Sequence, residues 1–275
     1  PLIPNVAFGQ SNTDGDQPSA SFSLTVTATC GGGSPGTLNG NNDPNTLIGD
    51  DGPNTINGLG GADELLGCGG VDTINGGSGG DTIDGGTGGD TINGGSDDDT
   101  IEGGDGDDTI LGEQGADIIN GGNGIDNIDG GQQDDTIDGG AGNDILNGGN
   151  GGNDVIHGGD GNDNIQGGNG EDTLFGDEGA DTFNCGTGTD TVKDWDPNED
   201  TQTLAQLAAA GCENVETIVS PPTIDDLEDV TDCDDFIVSG TTGSTTESID
   251  LYIDGNFFTN IPLTLGETTW SITLD

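Results

Sequence analysis

Acidic side chains recur every nine residues across more than half of this chain, and an apolar residue follows each of them two places later. The segment GGVDTINGGSGGDTIDGGTGGDTINGG shows the pattern, with glycines around each Asp. Asp oxygens and glycine carbonyls form an oxygen-only ligand set, which hard divalent cations such as Ca²⁺ prefer. The spacing therefore predicts a series of calcium sites.

The recurring position starts as Asn45 and Asn54 and is Asp in every later copy. The predicted metal-binding residues at this position are Asp63, Asp72, Asp81, Asp90, Asp99, Asp108, Asp117, Asp126, Asp135, Asp144, Asp154, Asp163, Asp172, Asp181 and Asp190. The apolar partners run in step from Leu47 to Val192. One residue is inserted near Gly151, where we expect a bulge that distorts one site.

Composition limits the function classes that this chain can serve. The formal net charge is -52 with a single Lys or Arg, and only 27% of the residues are hydrophobic. A chain with a single basic residue cannot neutralise a series of phosphates or dock on anionic lipid, so nucleic acid and anionic membrane partners are excluded. No small-molecule substrate is evident either. The start at Pro1, without Met or a signal peptide, suggests a processed or excerpted segment.

The period predicts an all-β fold, a parallel β-roll. In each unit, six residues, ideally GGxGxD, form a turn, and three form a short strand with one inward side chain. Two units make one coil. Burying one Ile contributes about 1.5–3 kcal/mol, whereas ordering nine residues costs roughly 9–18 kcal/mol. Carboxylates stacked about 4.8 Å apart also repel each other. Cations are therefore expected to be part of the fold.

These residues resemble the calcium-binding RTX nonapeptide repeat, GGxGxDxUx. The resemblance implies multiple calcium ions between successive turns, held by the Asp of the sixth position and by turn carbonyls. The first-position glycines that match are Gly76, Gly85, Gly94, Gly103, Gly121, Gly130, Gly139, Gly158 and Gly167. Some copies depart from the pattern at turn glycines, namely Cys68, Asp97, Glu113, Gln133, Asp177 and Cys185. Because Asn45 and Asn54 lack the charge, calcium at the ends of the roll is in doubt.

The repeat is predicted to occupy residues 45–192 and its cap residues 193–219. Trp195 is placed to cover the last coil, and QTLAQLAAAG predicts a short helix closed by Gly211. This segment resembles the cap of RTX arrays with a cysteine pair, which implies a Cys185–Cys212 disulfide. The pairing of Cys30, Cys68 and Cys233 stays open, and the odd count leaves one thiol free or joined to another chain. Scattered cysteines without CxxC motifs fit an oxidising compartment.

Residues 220–275 predict further strands in FIVSG, SIDLYID, FFTNIPL and TTWSITL, with a hairpin signal at Asp254-Gly255. They resemble an incomplete Ig-like extender domain of bacterial surface adhesins, an antiparallel β-sandwich. Residues 1–30 resemble its missing strands. Residues 31–44 are predicted to be a linker or a first irregular coil. Since such a linker spans the roll only when nearly stretched, we expect head-to-tail completion of the next copy's domain.

The remaining motifs favour no catalysis, so we predict that the chain is not an enzyme. Gly76 to Gly80 match GxSxG, but a glycine array produces this match by chance, and His157 is the sole His. Threonines after the repeat Asp could form an ice-binding ladder, namely Thr73, Thr82, Thr91, Thr100 and Thr109. The leading hypothesis is a secreted or cell-surface calcium-stabilised structural protein, a filament subunit or an adhesin repeat. The alternatives are the calcium-dependent secretion tail of a larger RTX enzyme or toxin, and an ice-binding roll.

Overall fold

The structure is a computed structural model that describes residues 25–27, 30–31, 36–196, 200, 202–217, 236–240, 247–253 and 256–263. Two long parallel sheets, which we name sheet A and sheet B, account for most of these residues. The chain alternates between them, so consecutive strands lie in opposite sheets. This arrangement confirms the predicted parallel β-roll.

Sheet A has eleven strands and sheet B has nine. Sheet A contains β1 Thr25–Thr27, β3 Thr46–Ile48, β5 Glu64–Leu66, β7 Thr82–Thr87, β9 Thr100–Asp105, β11 Ile118–Asn123, β13 Thr136–Ala141, β15 Val155–Asp160, β17 Thr173–Glu178, β19 Asp190–Trp195 and β20 Cys212–Thr217. Sheet B contains β2 Gly36–Asn39, β4 Asn54–Gly60, β6 Thr73–Ser78, β8 Thr91–Ser96, β10 Thr109–Gln114, β12 Asn127–Gln132, β14 Ile145–Gly149, β16 Asn164–Asn169 and β18 Thr182–Thr187.

Most strands are twice as long as the predicted three residues. β8, for example, covers six residues because Gly95 and Ser96 continue the pairing with β6 and β10. The Thr-Ile start of these strands is favourable because β-branched residues fit a pleated sheet. The second glycine, Gly95, has a φ of 119°, which allows the chain to turn without leaving the ladder.

The core consists of two rows of apolar residues between the sheets, one row from each sheet. Ile74 pairs with Ile92, which pairs with Ile110, so each coil places the same side chain above the last. Every predicted apolar partner from Leu47 to Val192 is at most 2% exposed. Because each coil adds little apolar surface, the roll depends on repetition for its stability.

Six non-glycine residues occupy turn positions with a positive φ. They are Leu59, Cys68, Asp97, Glu113, Gln133 and Asp177, with φ between 64° and 81°. The conformation costs an L-residue roughly 1–2 kcal/mol. These departures from the glycine pattern are therefore tolerated by the roll at a local cost.

At the N-terminal end, the described residues of the predicted stretch 31–44 include a strand. Gly36–Asn39 form β2, the first strand of sheet B, so residues 36–44 belong to a first coil of the roll. Leu38 packs against the core and lies eighteen residues before Ile56 in an equivalent Thr-apolar-Asn triplet. The absence of Asp or Asn at position 36 concealed this copy of the repeat.

Of residues 1–30, the described strand β1 pairs in parallel with β3 of the roll. The sequence had assigned this segment to the Ig-like unit, so the structure differs for Thr25–Thr27. The disulfide between Cys30 and Cys68 follows directly, with the two Cα atoms 5.6 Å apart. The segment before the roll is thus covalently attached to its first coils.

At the C-terminal end, helix α1 (Leu204–Ala209) confirms the predicted short helix. Thr203 and Gln206 form a capping box at its start, and Gly211 follows its end with a φ of 90°. Trp195 and Leu207 are buried against the last coil, as predicted for Trp195. The chain then returns as β20, an unpredicted final strand that pairs in parallel with β19.

Three further strands form a separate antiparallel sheet, β21 (Phe236–Gly240), β22 (Glu247–Ile253) and β23 (Asn256–Leu263). Strands β22 and β23 flank the predicted hairpin at Asp254-Gly255. A second sheet facing them is not found among the described residues, so the Ig-like sandwich stays a prediction. Within the described part of the chain, no helix has the length and apolar character needed to cross a membrane.

Candidate metal-binding columns

The predicted aspartates form two columns that run along the roll, one on each side of the core. Column A comprises Asp63, Asp81, Asp99, Asp117, Asp135, Asp154, Asp172 and Asp190. Column B comprises Asp72, Asp90, Asp108, Asp126, Asp144, Asp163 and Asp181. All of these residues are at most 3% exposed. The nine-residue period places an Asp in each column alternately.

One oxygen of each carboxylate, Oδ1, accepts a hydrogen bond from the preceding coil. The backbone N–H of Asp90 donates to Oδ1 of Asp108 at 2.6 Å, and that of Asp108 donates to Oδ1 of Asp126 at 2.8 Å. The same bond recurs in both columns with a sequence separation of 18, or 19 across the insertion. These bonds fix the orientation of every carboxylate before any cation is considered.

The other oxygen, Oδ2, has no hydrogen-bond partner. Among the described residues, this holds for every predicted aspartate except Asp181. A buried carboxylate oxygen without a partner is costly, and native proteins satisfy nearly all such groups. The two rows of unpaired oxygens are therefore the feature of this fold that needs a bound cation.

Glycine carbonyls stand next to these oxygens. A Cβ added to Gly85 would lie 2.7 Å from Oδ2 of Asp90 and 2.5 Å from the carbonyl oxygen of Gly103. A Cβ on Gly103 would meet Asp108 Oδ2 and the Gly121 carbonyl at 2.7 and 2.5 Å. A side chain at either position would fill the space between the carboxylate and the carbonyl. Glycine at these two positions therefore leaves room for the oxygens to converge.

All nine predicted first-position glycines contribute a carbonyl of this kind. The oxygens of Gly76, Gly85, Gly94, Gly103, Gly121, Gly130, Gly139, Gly158 and Gly167 each adjoin the Oδ2 of a column aspartate. Among the described residues, no three His, Cys, Asp or Glu side chains converge as a metal cluster. A cation would therefore combine column carboxylates with backbone carbonyls, a donor set suited to Ca²⁺.

Burial raises the pKa of the column carboxyls. It raises the pKa of Asp81, Asp90 and Asp144 to about 6, and that of Asp99, Asp108, Asp135, Asp154 and Asp181 to about 7. Desolvation is the main cause, and neighbouring column carboxylates add to it. Without a cation, these groups thus bind protons more readily than ordinary carboxyls do. A bound Ca²⁺ would supply the missing counter-charge.

The two ends of the roll differ from its middle, as the sequence indicated. At the N-terminal end, the Asn54 side-chain amide donates to the carbonyl oxygens of Asp50, at 3.2 Å, and of Gly52. An uncharged amide therefore occupies the place of a carboxylate there. At the C-terminal end, Asp181 and Asp190 are the last members of the columns that the period predicts.

Sequence reasoning missed the residues that complete the columns. The N–H of Asp181 donates to Oδ1 of Asp200 at 2.9 Å, and that of Asp190 donates to Oε2 of Glu213 at 2.9 Å. Gln202 accepts from the N–H of Phe183 and donates to its carbonyl, as a neighbouring strand would. Because these residues follow the repeat without a period, the nine-residue pattern did not identify them.

The insertion forms the expected bulge but leaves its column intact. Gly151 and Gly152 both have a positive φ, and a Cβ on Gly151 would meet nothing within 4 Å. Oδ1 of Asp154 still accepts from the N–H of Asp135 at 2.9 Å. The predicted distortion of a site is therefore not seen at Asp154, because the extra residue loops outward.

Ser78 of the GxSxG match and His157 do not share a site. Ser78 lies in β6 of sheet B, whereas His157 lies in β15 of sheet A. His157 stacks on Phe175, and its Nδ1 lies 2.9 Å from Oδ2 of Asp177. These surface contacts account for the orientation of the His157 side chain.

Disulfides close both ends of the roll. The Cys185–Cys212 bond that the RTX resemblance implied is present, with Cα atoms 5.1 Å apart, and it attaches β20 to the last strand of sheet B. The Cys30–Cys68 bond, which sequence reasoning left open, closes the other end. Cys233 lies outside the described residues.

Comparison with known families agrees with this geometry. The RTX calcium-binding nonapeptide repeat family matches residues 39–74, 67–101, 84–119, 93–128, 120–153, 148–183 and 157–192. A search of curated proteins found no match to the chain. The family matches run together from residue 39 to residue 192, more than half of the 275 residues. The chain therefore belongs to the family of RTX calcium-binding nonapeptide-repeat proteins.

Proposed function

We propose that this chain is an extracellular structural protein whose roll is a stiff spacer folded by calcium. The observation that carries the proposal is the pair of columns of buried carboxylates with unpaired Oδ2 atoms. A roll of this kind is unstable without counter-charge and gains a binding site in every coil when calcium is present. Such coupling of ion binding to folding makes the calcium concentration the switch for structure.

The two disulfides support an extracellular location. Cys30–Cys68 and Cys185–Cys212 are typical of an oxidising compartment. Extracellular modules commonly bind calcium with Kd values on the order of 10⁻⁴–10⁻³ M. With sites of that affinity, the chain would be unfolded during export and folded outside the cell.

Circular dichroism tests this part of the proposal directly. We expect the far-UV β signal in millimolar calcium to be lost in excess EGTA and to return when calcium is added back. A far-UV spectrum that does not change in EGTA would contradict it. Magnesium at the same concentration is the control, since it dehydrates reluctantly and demands a regular octahedral site.

We further propose that the chain is a filament subunit or a repeat unit of a giant surface adhesin. Support comes from the antiparallel sheet β21–β23 after the capped roll, which the secretion-tail alternative does not require. In head-to-tail assembly, N-terminal strands of one copy would complete the Ig-like unit of the next. Because Thr25–Thr27 pair with the roll, residues before Thr25 would carry this contact.

Light scattering and negative-stain electron microscopy test the assembly. We expect elongated, concentration-dependent oligomers in calcium, and their loss when residues 1–24 are deleted. A folded, monodisperse monomer at all concentrations in calcium would contradict the filament proposal. The calcium proposal would be unaffected.

Ice binding is a second candidate, favoured by how the fold sorts the threonines. Thr37, Thr55, Thr73, Thr91 and Thr109 form an unbroken row on sheet B. Thr82 and Thr100 lie instead on sheet A, where Glu64 and Ile118 interrupt their row. Thermal hysteresis and ice shaping by the calcium-loaded chain test this candidate, and their absence excludes it.

A further inference from the structure

The two outer faces of the roll differ sharply in charge. On sheet B, Asp129 is the single acidic residue in the two outward rows. These rows are Thr37, Thr55, Thr73, Thr91, Thr109, Asn127, Ile145, Asn164 and Thr182, and beside them Asn39, Asn57, Asn75, Asn93, Leu111, Asp129, Asn147, Gln166 and Asn184. Sheet A carries several carboxylates in the corresponding rows. Glu113 of β10 adds a second carboxylate to the sheet B face, where its Oε1 accepts from the Asn93 amide at 3.3 Å. Two carboxylates are still few for a chain of net charge -52.

The sheet B rows are regular at first and then change. Strands β4, β6 and β8 each present Thr and Asn, and neighbouring Asn amides bond along the row, as from Asn75 to Asn57 at 3.1 Å. From β10 to β16 the pattern is replaced by the departures Leu111, Asn127, Asp129, Ile145, Asn164 and Gln166. All of them line one groove of about 290 Å³. The changes in sequence therefore coincide with a concavity in the face.

The groove combines amide groups with aliphatic walls. Gln166 Nε2 donates to Asn147 Oδ1 at 3.1 Å, and Asn147 also bonds to Asp129. These contacts fix the directions in which the amides and the carboxylate offer further donors and acceptors. Ile145, half exposed, and Leu111 form apolar walls beside them. Such a mixture of a few oriented polar groups and apolar surface is typical of ligand pockets.

Charge and size narrow the choice of ligand. The groove contains no basic side chain, so an anionic ligand would meet only repulsion from Asp129 and from the acidic chain. Four strands about 4.8 Å apart present far less than the ~800 Å² per partner of a stable protein interface. A hydroxyl-rich neutral ligand, in contrast, matches the amides with its hydroxyls and the aliphatic walls with its C–H surface.

We propose that the groove across β10 to β16 of sheet B is a binding site for a neutral glycan. Asn147, Gln166 and Asp129 bond its hydroxyl groups, while Leu111 and Ile145 contact the sugar ring. The site goes beyond the structural role of the roll, because the roll itself would bind a glycan. It holds whether the chain works alone or in an assembly.

Titration calorimetry of the full chain in calcium tests the site. The probes are cellohexaose, mannohexaose, chitohexaose and laminarihexaose, with a hexamer of galacturonic acid as the anionic comparator. We expect at least one neutral probe to bind and Asn147→Ala to weaken it by about tenfold, which corresponds to the loss of a hydrogen-bonding side chain. Asn75→Ala is the matched control, since Asn75 occupies the same row two coils away from the groove, and it should not change the affinity.

Ile145→Thr is the second variant. It introduces the residue type that β8 carries at the aligned position and removes one wall, so it should keep the fold and weaken binding. Far-UV spectra in calcium verify that both variants are folded. The proposal is overturned if no neutral probe binds, if the anionic hexamer binds instead, or if Asn75→Ala and Asn147→Ala weaken binding equally. It is also overturned if Ile145→Thr abolishes self-association, because the groove would then be a contact between copies.

Discussion

Replacing one column aspartate by Asn should change stability in opposite directions with and without calcium. Asp108 lies in the middle of column B, where its Oδ1 accepts from the N–H of Asp90 and its Oδ2 has no partner. Asp108→Asn keeps an oxygen for the first bond but removes the charge from the second. The matched control is Asp107→Asn, since Asp107 is exposed and its Oδ1 accepts from Ile125.

In calcium, the variant should lose the contribution of about one site. At a calcium concentration ten to a hundred times Kd, a site contributes about 1.4–2.7 kcal/mol to the free energy of unfolding. Asp108→Asn should lower stability by roughly this amount. Asp107→Asn should change it by less than about 0.5 kcal/mol, as expected for a surface substitution.

Without calcium, the same variant should be more stable than the natural chain above pH 7. Burial raises the pKa of Asp108 to about 7 from an ordinary value of 3.8, so ionising it in the fold costs at most about 4 kcal/mol. The Asn amide avoids this cost, and the neighbouring glycine carbonyl offers it a partner, as carbonyls do for Asn54. We expect a net gain of roughly 1–3 kcal/mol, because relaxation reduces the cost that Asn removes.

Urea unfolding followed by circular dichroism provides the measurement. The calcium-free experiment contains EGTA together with trimethylamine oxide, which favours compact states and populates the roll. The reasoning is refuted if Asp108→Asn lowers stability in both conditions, or if it cannot be distinguished from Asp107→Asn in calcium.

Three further results are expected. Acidification should stabilise the calcium-free roll, because burial raises the pKa of Asp99 and Asp108 to about 7 and the folded roll then binds protons that the unfolded chain releases. The gain in stability should grow as the pH falls from about 7 towards 4. It should appear as a rising urea midpoint. Gln133→Gly should add about 1 kcal/mol, measured by thermal unfolding, since Gln133 has a φ of 79°. Asp97→Gly should add less, because it also removes the bond that Asp97 Oδ2 accepts from the N–H of Gly79. Asp200→Ala should speed hydrogen exchange of the Asp181 amide by about tenfold or more, because the N–H of Asp181 loses its charged acceptor at the last coil.

Each of these results has a control. A calcium-free midpoint that falls on acidification would contradict the assignment of raised pKa values to the columns. For the glycine variants the control is Asp98→Gly, which removes a bond from Oδ1 to the N–H of Ala116 and should not stabilise the roll. For the cap, equal acceleration of amides in the middle of the roll would indicate global unfolding instead of local opening.

Most of the roll could be predicted from the sequence because its order is periodic. A nine-residue period with one apolar residue and one Asp sets the strand, the inward side chain and the turn at the same time. Ile74 and Ile92 are stacked for the same reason that Asp72 and Asp90 are, since coils of 18 residues repeat at the spacing of β-strands. The aspartate columns and the glycine carbonyls beside them follow from that local rule.

The non-periodic contacts depended on the path of the chain. Asp200, Glu213 and Gln202 reach the last strands only because the segment after Trp195 folds back over the open end. In the same way, β1 pairs with the roll although its sequence resembles an Ig-like strand. A one-dimensional pattern cannot specify which distant segment covers an edge, because several segments have the hydrogen-bonding groups to do so.

Tertiary structure also decided which surfaces exist. In the linear sequence the units look equivalent. Coiling assigns alternate units to opposite sheets, which separates a nearly uncharged row of Thr and Asn from the acidic residues of the other face. The nine-residue unit thus accounts for the core and the cation sites, because every unit contributes one apolar side chain and one Asp or Asn in the same way. The outer faces arise from the two-unit coil, because side chains become neighbours there only after one full turn of the roll.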